Sequence, residues 1–240
     1  MILEIDVGNT FVKWRLLSVG EVAHAGKALT ADIESMDVEF WSDSVTEVRV
    51  ASVAGVEKNR ALSELVRDRC ACEPLFAKTV SSCAGVKNSY IEPSRMGVDR
   101  WLVMLAANAR AEGASCIVDC GSAITVDYLD EHGQHLGGYI MPGLRLMNKA
   151  LLADTAEIRV DQDIDHFDLS PGKHTSAAVV HGINFVFKAL QEKISEEINN
   201  HSSMRLFITG GDGELFHSLC QQGEYVEDLV MDGLRLSEWR

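Results

Sequence analysis

Several features that would place this sequence in a familiar class are missing. Its cysteines form no CxxC pair, and its eight histidines show no HxH or HExxH spacing. Neither a zinc knuckle, nor a disulfide framework, nor a transition-metal motif is therefore indicated. We expect plain reduced thiols, with Cys120 acting as a small buried residue.

Long apolar runs and basic clusters are also missing. No stretch approaches the roughly 18 apolar residues of a membrane helix, and no basic segment followed by an apolar one opens the chain. We therefore expect a cytoplasmic protein without a membrane partner. The formal net charge is −14, and no group of lysines and arginines stands out against it. Nucleic acid is accordingly not expected as a partner.

What is present is the composition of a folded, enzyme-sized protein. Hydrophobic residues make up 46% of the 240 residues and charged residues 24%, close to the average of soluble domains. There are only four prolines and no linker rich in proline, serine or glycine. We therefore expect two lobes that share a cleft, not two independent domains.

The order of predicted elements in the first part of the chain is three strands followed by mixed helix and strand. β-Branched and aromatic residues alternate between turns at Gly8-Asn9 and Gly20, which predicts a meander. The predicted segments are strands "ILEIDV", "TFVKWRLLSV" and "EVAHAGKA", a helix over 31–40, a strand "EVRVASV" and a helix "KNRALSELVRDRC".

The middle of the chain repeats this opening. "ASCIVDCGSAITVDYLDEHGQHLGGYIMPGL" predicts strand, Asp-x-Gly turn, two further strands and a helix from about Leu144. "DVGNT" at 6–10 and "DCGSA" at 119–123 occupy equivalent places, nearly half the chain apart. The repeat predicts two related lobes, 1–113 and 114–240. A helix over 175–199, a strand "MRLFITGG" and a helix after Asp212 complete the prediction.

The repeated turns carry groups suited to phosphate. Aspartate and glycine are also ordinary turn formers, but two matched copies, each followed by a hydroxyl or amide residue, favour a functional interpretation. Glycine lets backbone amides approach a phosphate, and Asn9, Thr10 and Ser122 can donate hydrogen bonds. The aspartates can hold a cation, and Lys13 adds a positive charge.

Two further segments supply the rest of a kinase site. In "ITGGDGELF" at 208–216, Gly210 and Gly211 either form a plain strand-to-helix connection or let an adenosine lie against the backbone. In "GVDR" at 97–100, the aspartate is either a helix N-cap or a base for an attacking hydroxyl. Arg100 beside it can bind a carboxylate with two hydrogen bonds. No P-loop motif is present.

Taken together, these segments resemble the type III pantothenate kinases over nearly the whole chain. The first motif alone indicates only the wider superfamily of acetate and sugar kinases, heat-shock chaperones and actin. The combination of "GVDR" with "GGYIMPG" indicates the type III pantothenate kinases within that superfamily. The motifs that carry it are "DVGNTFVK" at 6–13, "GVDR" at 97–100, "DCGSAITVD" at 119–127, "GGYIMPG" at 137–143, "HTSAAVVHG" at 174–182 and "ITGGD" at 208–212.

The resemblance implies an α/β fold of two duplicated, ribonuclease-H-like (actin-like) lobes with mixed sheets and a cleft between them. It also implies ATP-dependent phosphorylation of pantothenate to 4'-phosphopantothenate, the first step of coenzyme A biosynthesis. The ATP-binding residues would be Asp6, Val7, Gly8, Asn9, Thr10, Phe11, Val12, Lys13 and Ser122. The pantothenate site would comprise Tyr90, Gly97, Val98, Asp99, Arg100 and Thr175, with Asp99 as the catalytic base.

The same resemblance implies two cations and a partner. Magnesium would accompany ATP, and a monovalent cation, K⁺ or NH₄⁺, would bind Asp119. The enzyme would be a homodimer with the acceptor site at the subunit interface, so that Tyr90 and Thr175 face different chains' sites. Ser122 departs from the family, which commonly has threonine there; the hydroxyl is kept, but the β-branched stiffness is lost.

Two alternatives stay open at this stage. One is another small-molecule kinase of the same superfamily, which a panel of acceptors distinguishes because only an acceptor with a carboxylate should depend on Arg100. The other is a nucleotide-binding regulatory protein without phosphotransfer, which has no need for Asp99 and Arg100 together.

Overall fold

The computed structural model describes residues 1–111, 113–154, 166–201 and 203–239. It divides into two compact units. The first unit comprises Met1–Glu112, Leu129–Leu136 and Asp228–Arg240, and the second comprises Gly113–Tyr128 and Gly137–Glu227. The predicted lobe limits, 1–113 and 114–240, and the cleft between them stay predictions.

The first sheet contains the predicted meander. Its strands are β1 Ile2–Val7, β2 Phe11–Ser18, β3 Glu21–Leu29, β4 Glu47–Ser52 and β5 Pro74–Phe76, in the spatial order β3-β2-β1-β4-β5. The pairs β1–β2 and β2–β3 are antiparallel, whereas β1–β4 and β4–β5 are parallel. The sheet is therefore mixed, as predicted. A short antiparallel hairpin follows, formed by β6 Ser82–Cys83 and β7 Val86–Lys87.

The second sheet has the same order. Its strands are β8 Ser115–Cys120, β9 Ala123–Leu129, β10 His135–Pro142, β11 Arg205–Thr209 and β12 Glu224–Tyr225, arranged β10-β9-β8-β11-β12. In each sheet three consecutive strands pair in turn, the fourth strand lies beside the first, and the fifth lies beside the fourth. The shared order confirms the predicted duplicated α/β fold.

The predicted helices are present with one exception, and α6 is a helix that was not predicted. They are α1 Val56–Cys70, α2 Val98–Arg110, α3 Leu144–Asp154, α4 Thr175–Asn200, α5 Gly213–Cys220 and α6 Leu229–Leu234, with 3₁₀ turns at Thr30–Ser35 and Pro93–Arg95. The predicted helix over 31–40 is wrong, because only the 3₁₀ turn forms there. Ile33, Met36, Val38 and Trp41 are buried at spacings that no single helical face provides.

A buried ion cluster explains the first acidic residue of β1. Glu4 is fully buried, and its Oε2 accepts a hydrogen bond from Arg15 Nε on β2 at 2.6 Å. Arg15 Nη2 also donates to Asp232 of α6 at 2.9 Å, and Arg235 Nε lies 3.6 Å from Glu4 Oε1. Because a buried charge is costly unless paired, residues near the C-terminus complete the environment of β1.

Candidate active site

The first Asp-x-Gly turn is a three-residue loop between β1 and β2. Gly8 N donates to the Phe11 carbonyl at 2.9 Å, and Thr30 Oγ1 donates to the Gly8 carbonyl at 2.8 Å. A Cβ on Gly8 would lie 3.3 Å from the Phe11 carbonyl oxygen, which is tighter than ordinary contact. Asn9 at the tip is exposed. The loop is therefore fixed at its base and open to a ligand at its tip.

Lys13 lies on the strand that leaves this loop. It pairs across the sheet with Asp6, so the two side chains share one face. Its Nζ also lies 3.8 Å from Asp228 Oδ1, and both side chains are partly exposed. A pair of this kind contributes roughly 0.2–1 kcal/mol. The ammonium of Lys13 can therefore exchange this carboxylate for a phosphate at small cost.

The second Asp-x-Gly turn, between β8 and β9, is closed by backbone contacts. Gly121 N donates to the Ala123 carbonyl at 3.0 Å, and Gly143 N donates to the Ser122 carbonyl at 3.1 Å. A Cβ on Gly143 would overlap the carbonyl oxygen of Gly121. The end of "GGYIMPG" is thus packed against "DCGS", with Ser122 exposed at the tip.

A third motif meets the same turn. Thr209, at the end of β11, lies beside Asp119 in the parallel register of β8 and β11. Gly210 follows with a φ of +91°, and a Cβ there would overlap Asp119 Oδ1. Glycine is required here for both its backbone conformation and its lack of a side chain. "ITGGD", "GGYIMPG" and "DCGS" therefore converge within the second unit.

Two carboxylates flank this convergence. Asp212 N donates to the carbonyl of Cys120, the residue that follows Asp119, at 2.9 Å. This bond brings the Asp212 backbone to the end of β8. Burial raises the pKa of Asp212, while the positive charge of Arg145 opposes the shift. Burial, followed by the charges of both aspartates, raises the pKa of the Cys120 thiol, which is fully buried as predicted. An oxygen-rich negative site of this kind suits a hard cation.

The start of α2 presents the predicted base. Gly97 is the N-cap residue and Asp99 is the second residue of the helix, so the alternative that Asp99 caps the helix is wrong. Asp99 Oδ1 accepts a hydrogen bond from Arg100 N at 2.8 Å. A Cβ on Gly97 would lie 2.5 Å from that same oxygen. Glycine at position 97 is what lets the carboxylate fold back over the first turn.

Arg100 is fixed by an aromatic network. Its side chain is buried, and Nη1 donates to the Tyr90 hydroxyl at 2.9 Å. The Tyr90 ring stacks on His135, with ring centroids 6.3 Å apart, and His135 Nδ1 lies 2.8 Å from Ser89 Oγ. All four residues belong to the first unit. The structure therefore brings Tyr90 to Arg100, as a shared acceptor site requires.

Thr175 is the first residue of α4 and is exposed. His174 caps the helix, because its Nδ1 accepts a hydrogen bond from Ala177 N at 3.4 Å. Thr175 belongs to the second unit, together with Asp119 and Ser122, whereas Asp6, Lys13 and Asp99 belong to the first. The predicted site residues thus form one set in each unit.

Sequence reasoning missed three residues of these sets. Asp212 lies inside the motif "ITGGD", so its carboxylate could have been predicted as a site residue from the sequence. Asp228 and His135 gave no such signal, because they reach Lys13 and Tyr90 only through the tertiary fold.

Comparison with solved structures identifies the class of fold. The chain superposes on a Baf family transcriptional activator from Campylobacter jejuni with a TM-score of 0.60, 20% identity and coverage of 97% of this chain and 95% of that one. A protein named as a 2-dehydro-3-deoxygalactonokinase from Sinorhizobium meliloti gives a TM-score of 0.56, 11% identity and coverage of 98% and 97%. The chain therefore shares the fold of these two proteins.

The sequence places the chain more narrowly. Residues 2–197 match the family model described as type III pantothenate kinase. A type III pantothenate kinase from Marinobacter nauticus is 37% identical over 98% of this chain and 96% of its own length. The chain belongs to the type III pantothenate kinase family, which confirms the predicted family.

None of the helices in the described part of the chain is both long enough and apolar enough to cross a membrane.

Proposed function

We propose that this protein transfers the γ-phosphoryl group of ATP to the hydroxyl of pantothenate, giving 4'-phosphopantothenate and ADP. Membership of the type III pantothenate kinase family sets the reaction. The observation that carries the assignment of roles is the start of α2. There the Asp99 carboxylate accepts a hydrogen bond from the Arg100 backbone N, and the Arg100 guanidinium donates to the Tyr90 hydroxyl.

In this proposal Asp99 is the catalytic base. Its carboxylate accepts the proton of the pantothenate hydroxyl as that oxygen attacks the γ-phosphorus. The bond between the γ-phosphorus and the bridging oxygen breaks, and ADP leaves with the electron pair. Gly97, Val98, Arg100, Tyr90 and Thr175 line the acceptor site. The contact between Arg100 and Tyr90 supports this role, because a guanidinium fixed on one side offers its remaining donors in a set direction.

The ATP side of the site is formed by residues 6–13 and Ser122. The exposed tip of the first hairpin and the weakly paired Lys13 support phosphate binding there. Magnesium enters with ATP and neutralises phosphate charge. The packing of Gly143 and Gly210 against the second turn gives Ser122 a fixed backbone from which its hydroxyl can donate.

We also assign a monovalent cation, K⁺ or NH₄⁺, to Asp119. The oxygen-rich surroundings of Asp119 and Asp212, with two glycines packed close by, fit such an ion. When bound, the ion supplies fixed positive charge near the phosphates. Replacing K⁺ by Na⁺ should lower the activity of the parent enzyme, and Asp119→Asn should remove this dependence. Equal dependence in the variant would refute the assignment.

The protein is further proposed to act as a cytoplasmic homodimer. All six cysteines are free thiols, as is usual in a reducing compartment. Phe185 and Val186 on α4 and Ile140 on β10 are large apolar side chains with more than half of their surface exposed. Sedimentation of the parent chain should give a dimer, and Phe185→Asp should shift it toward monomer. A monomeric parent chain would contradict the dimer.

The decisive test is Asp99→Asn, assayed as ADP release with ATP, magnesium, potassium and pantothenate. Turnover should fall by about two to four orders of magnitude while ATP binding is retained. Glu57→Gln is the matched control, because Glu57 is the second residue of α1 as Asp99 is of α2. Full turnover in Asp99→Asn would refute the base, and no ADP release by the parent enzyme above a pantothenate-free blank would refute the function.

A further inference from the structure

A group of metal-ligand side chains lies outside the proposed active site. Among the described residues, the ligand atoms of His166, Asp168 and His181 all lie within 4.8 Å of one another. The sequence gave no sign of this group, since His166 and Asp168 precede α4 while His181 lies in its second turn. The fold of the second unit brings them together.

One carboxylate oxygen is central to the group. Asp168 Oδ2 lies 3.9 Å from His166 Nε2 and 3.9 Å from His181 Nε2. Its other oxygen, Oδ1, accepts a hydrogen bond from Ser170 N at 2.7 Å. The carboxylate is therefore turned so that one oxygen faces both imidazoles.

The tautomer of His181 is fixed by its surroundings. Its Nδ1 lies 2.7 Å from the carbonyl oxygen of Ser170, and a carbonyl oxygen can only accept a hydrogen bond. Nδ1 therefore carries the proton, and in the neutral ring Nε2 keeps its lone pair. Donation of the second ring nitrogen to a backbone carbonyl is the usual way in which proteins orient a metal-binding histidine.

Two of the three residues, Asp168 and His181, are held in place by the surrounding fold. His181 is largely buried, with 11% of its side chain exposed, and Asn184 Nδ2 donates to the Asp168 carbonyl at 3.1 Å. His166 is the exposed partner, with 73% of its side chain accessible to solvent. Two ligands are thus held in place by the fold, and the third needs only a small movement to close on an ion.

From this geometry we propose that His166, Asp168 and His181 form a binding site for a divalent transition-metal ion such as Zn²⁺. Two imidazoles and one carboxylate suit that class of ion, with water completing the coordination. The ion fastens the segment before α4 to the second turn of that helix. It is separate from the magnesium and monovalent cations proposed for catalysis.

The test is metal binding by the purified full chain without ATP or pantothenate, so its result does not depend on the kinase activity. Zn²⁺ should bind with one equivalent by calorimetry and raise the melting temperature. Co²⁺ should give the visible absorption of a nitrogen- and oxygen-ligated site, and Zn²⁺ should displace it. Absence of saturable binding would overturn the proposal.

Variants distinguish this site from others. His181→Asn keeps a donor near Nδ1 for the Ser170 carbonyl but removes Nε2, and His166→Gln changes an exposed residue that the fold does not need. Each should weaken binding by about 10²-fold or more, since even residues behind a ligand are worth 10- to 100-fold. His132→Asn is the control, because His132 also lies 3.9 Å from one carboxylate, that of Glu131. Unchanged affinity in both site variants would refute the assignment.

Discussion

The two Asp-x-Gly hairpins occupy the same place in two sheets of identical strand order, yet their surroundings differ. The first hairpin has a lysine on its outgoing strand, held only by a weak ion pair with Asp228. The second has no lysine at the equivalent position and is closed in by Gly143 and Gly210, with two carboxylates beside it. The two hairpins thus share one framework but differ in what surrounds it. The first carries a weakly paired lysine, and the second is closely packed.

The largest difference between the hairpins should appear in catalysis. Lys13→Met should lower kcat/KM for ATP by about 10² to 10³, as expected when a group facing developing charge is lost. Ser122→Ala should cost about tenfold or less, because one neutral hydrogen bond contributes only about 1 kcal/mol. Steady-state kinetics at saturating pantothenate measure both.

Lys27→Met is the control for this pair of variants. Lys27 lies beside Lys13 in the register of β2 and β3, but its Nζ sits 4.0 Å from the centre of the Phe11 ring. Its replacement should leave kcat/KM nearly unchanged. Equal losses of kcat/KM for Lys13→Met and Ser122→Ala would contradict the proposal that the first hairpin contributes more to catalysis than the second.

The next difference concerns stability. Gly143→Ala places a methyl group against the Gly121 carbonyl and should lower the free energy of unfolding by about 1–3 kcal/mol. Gly8→Ala meets its neighbour at 3.3 Å and should cost less than about 1 kcal/mol. Urea denaturation of both variants measures the difference, and a larger loss for Gly8→Ala would contradict the account of the second turn.

Gly182 provides a reference for these substitutions. It lies within α4, and an added Cβ would meet nothing within 4 Å. Gly182→Ala should therefore raise the free energy of unfolding by about 0.5–1 kcal/mol, the usual difference between glycine and alanine within a helix.

The smallest effect is a pH dependence confined to the second hairpin. The fold raises the pKa of Asp212 through burial, so the folded chain holds this proton to a higher pH than the unfolded chain does. The associated stability is present below the unfolded value of about 3.9 and is lost as the pH rises through the folded pKa.

Asp212→Asn should abolish that loss. The free energy of unfolding of the variant minus that of the parent should therefore be larger at pH 7 than at pH 4. Denaturation at the two pH values, without added potassium, measures this difference. A parent and a variant that keep the same difference at both pH values would show that Asp212 does not titrate as proposed.

Much of this fold could be read from the sequence, because alternation and turn residues are local signals. The meander, the repeat around Asp119, α1, α4 and β11 lie where they were predicted. The helix predicted over 31–40 was wrong because the apolar residues there are buried without a helical period. The family also followed from ordered motifs.

The groups that condition the site were harder to predict. Asp228 approaches Lys13, and His135 supports Tyr90, only because distant segments return to the first unit. The metal-ligand group depends in the same way on the placement of α4. Such contacts are set by tertiary packing, and no spacing in the sequence reports them.

The ion cluster around Glu4 bears on the order in which the chain folds during synthesis. Glu4 can pair with Arg15 once the first two strands are made and with Arg49 once β4 follows, whereas Asp232 and Arg235 come after the whole second unit in the sequence. Until they are made, Arg15 lacks its second carboxylate, so the packing around β1 is complete only after the second unit has been synthesised. A fragment ending at residue 113 should accordingly be less stable than the same residues in the full chain, and the two units should mature together rather than in succession.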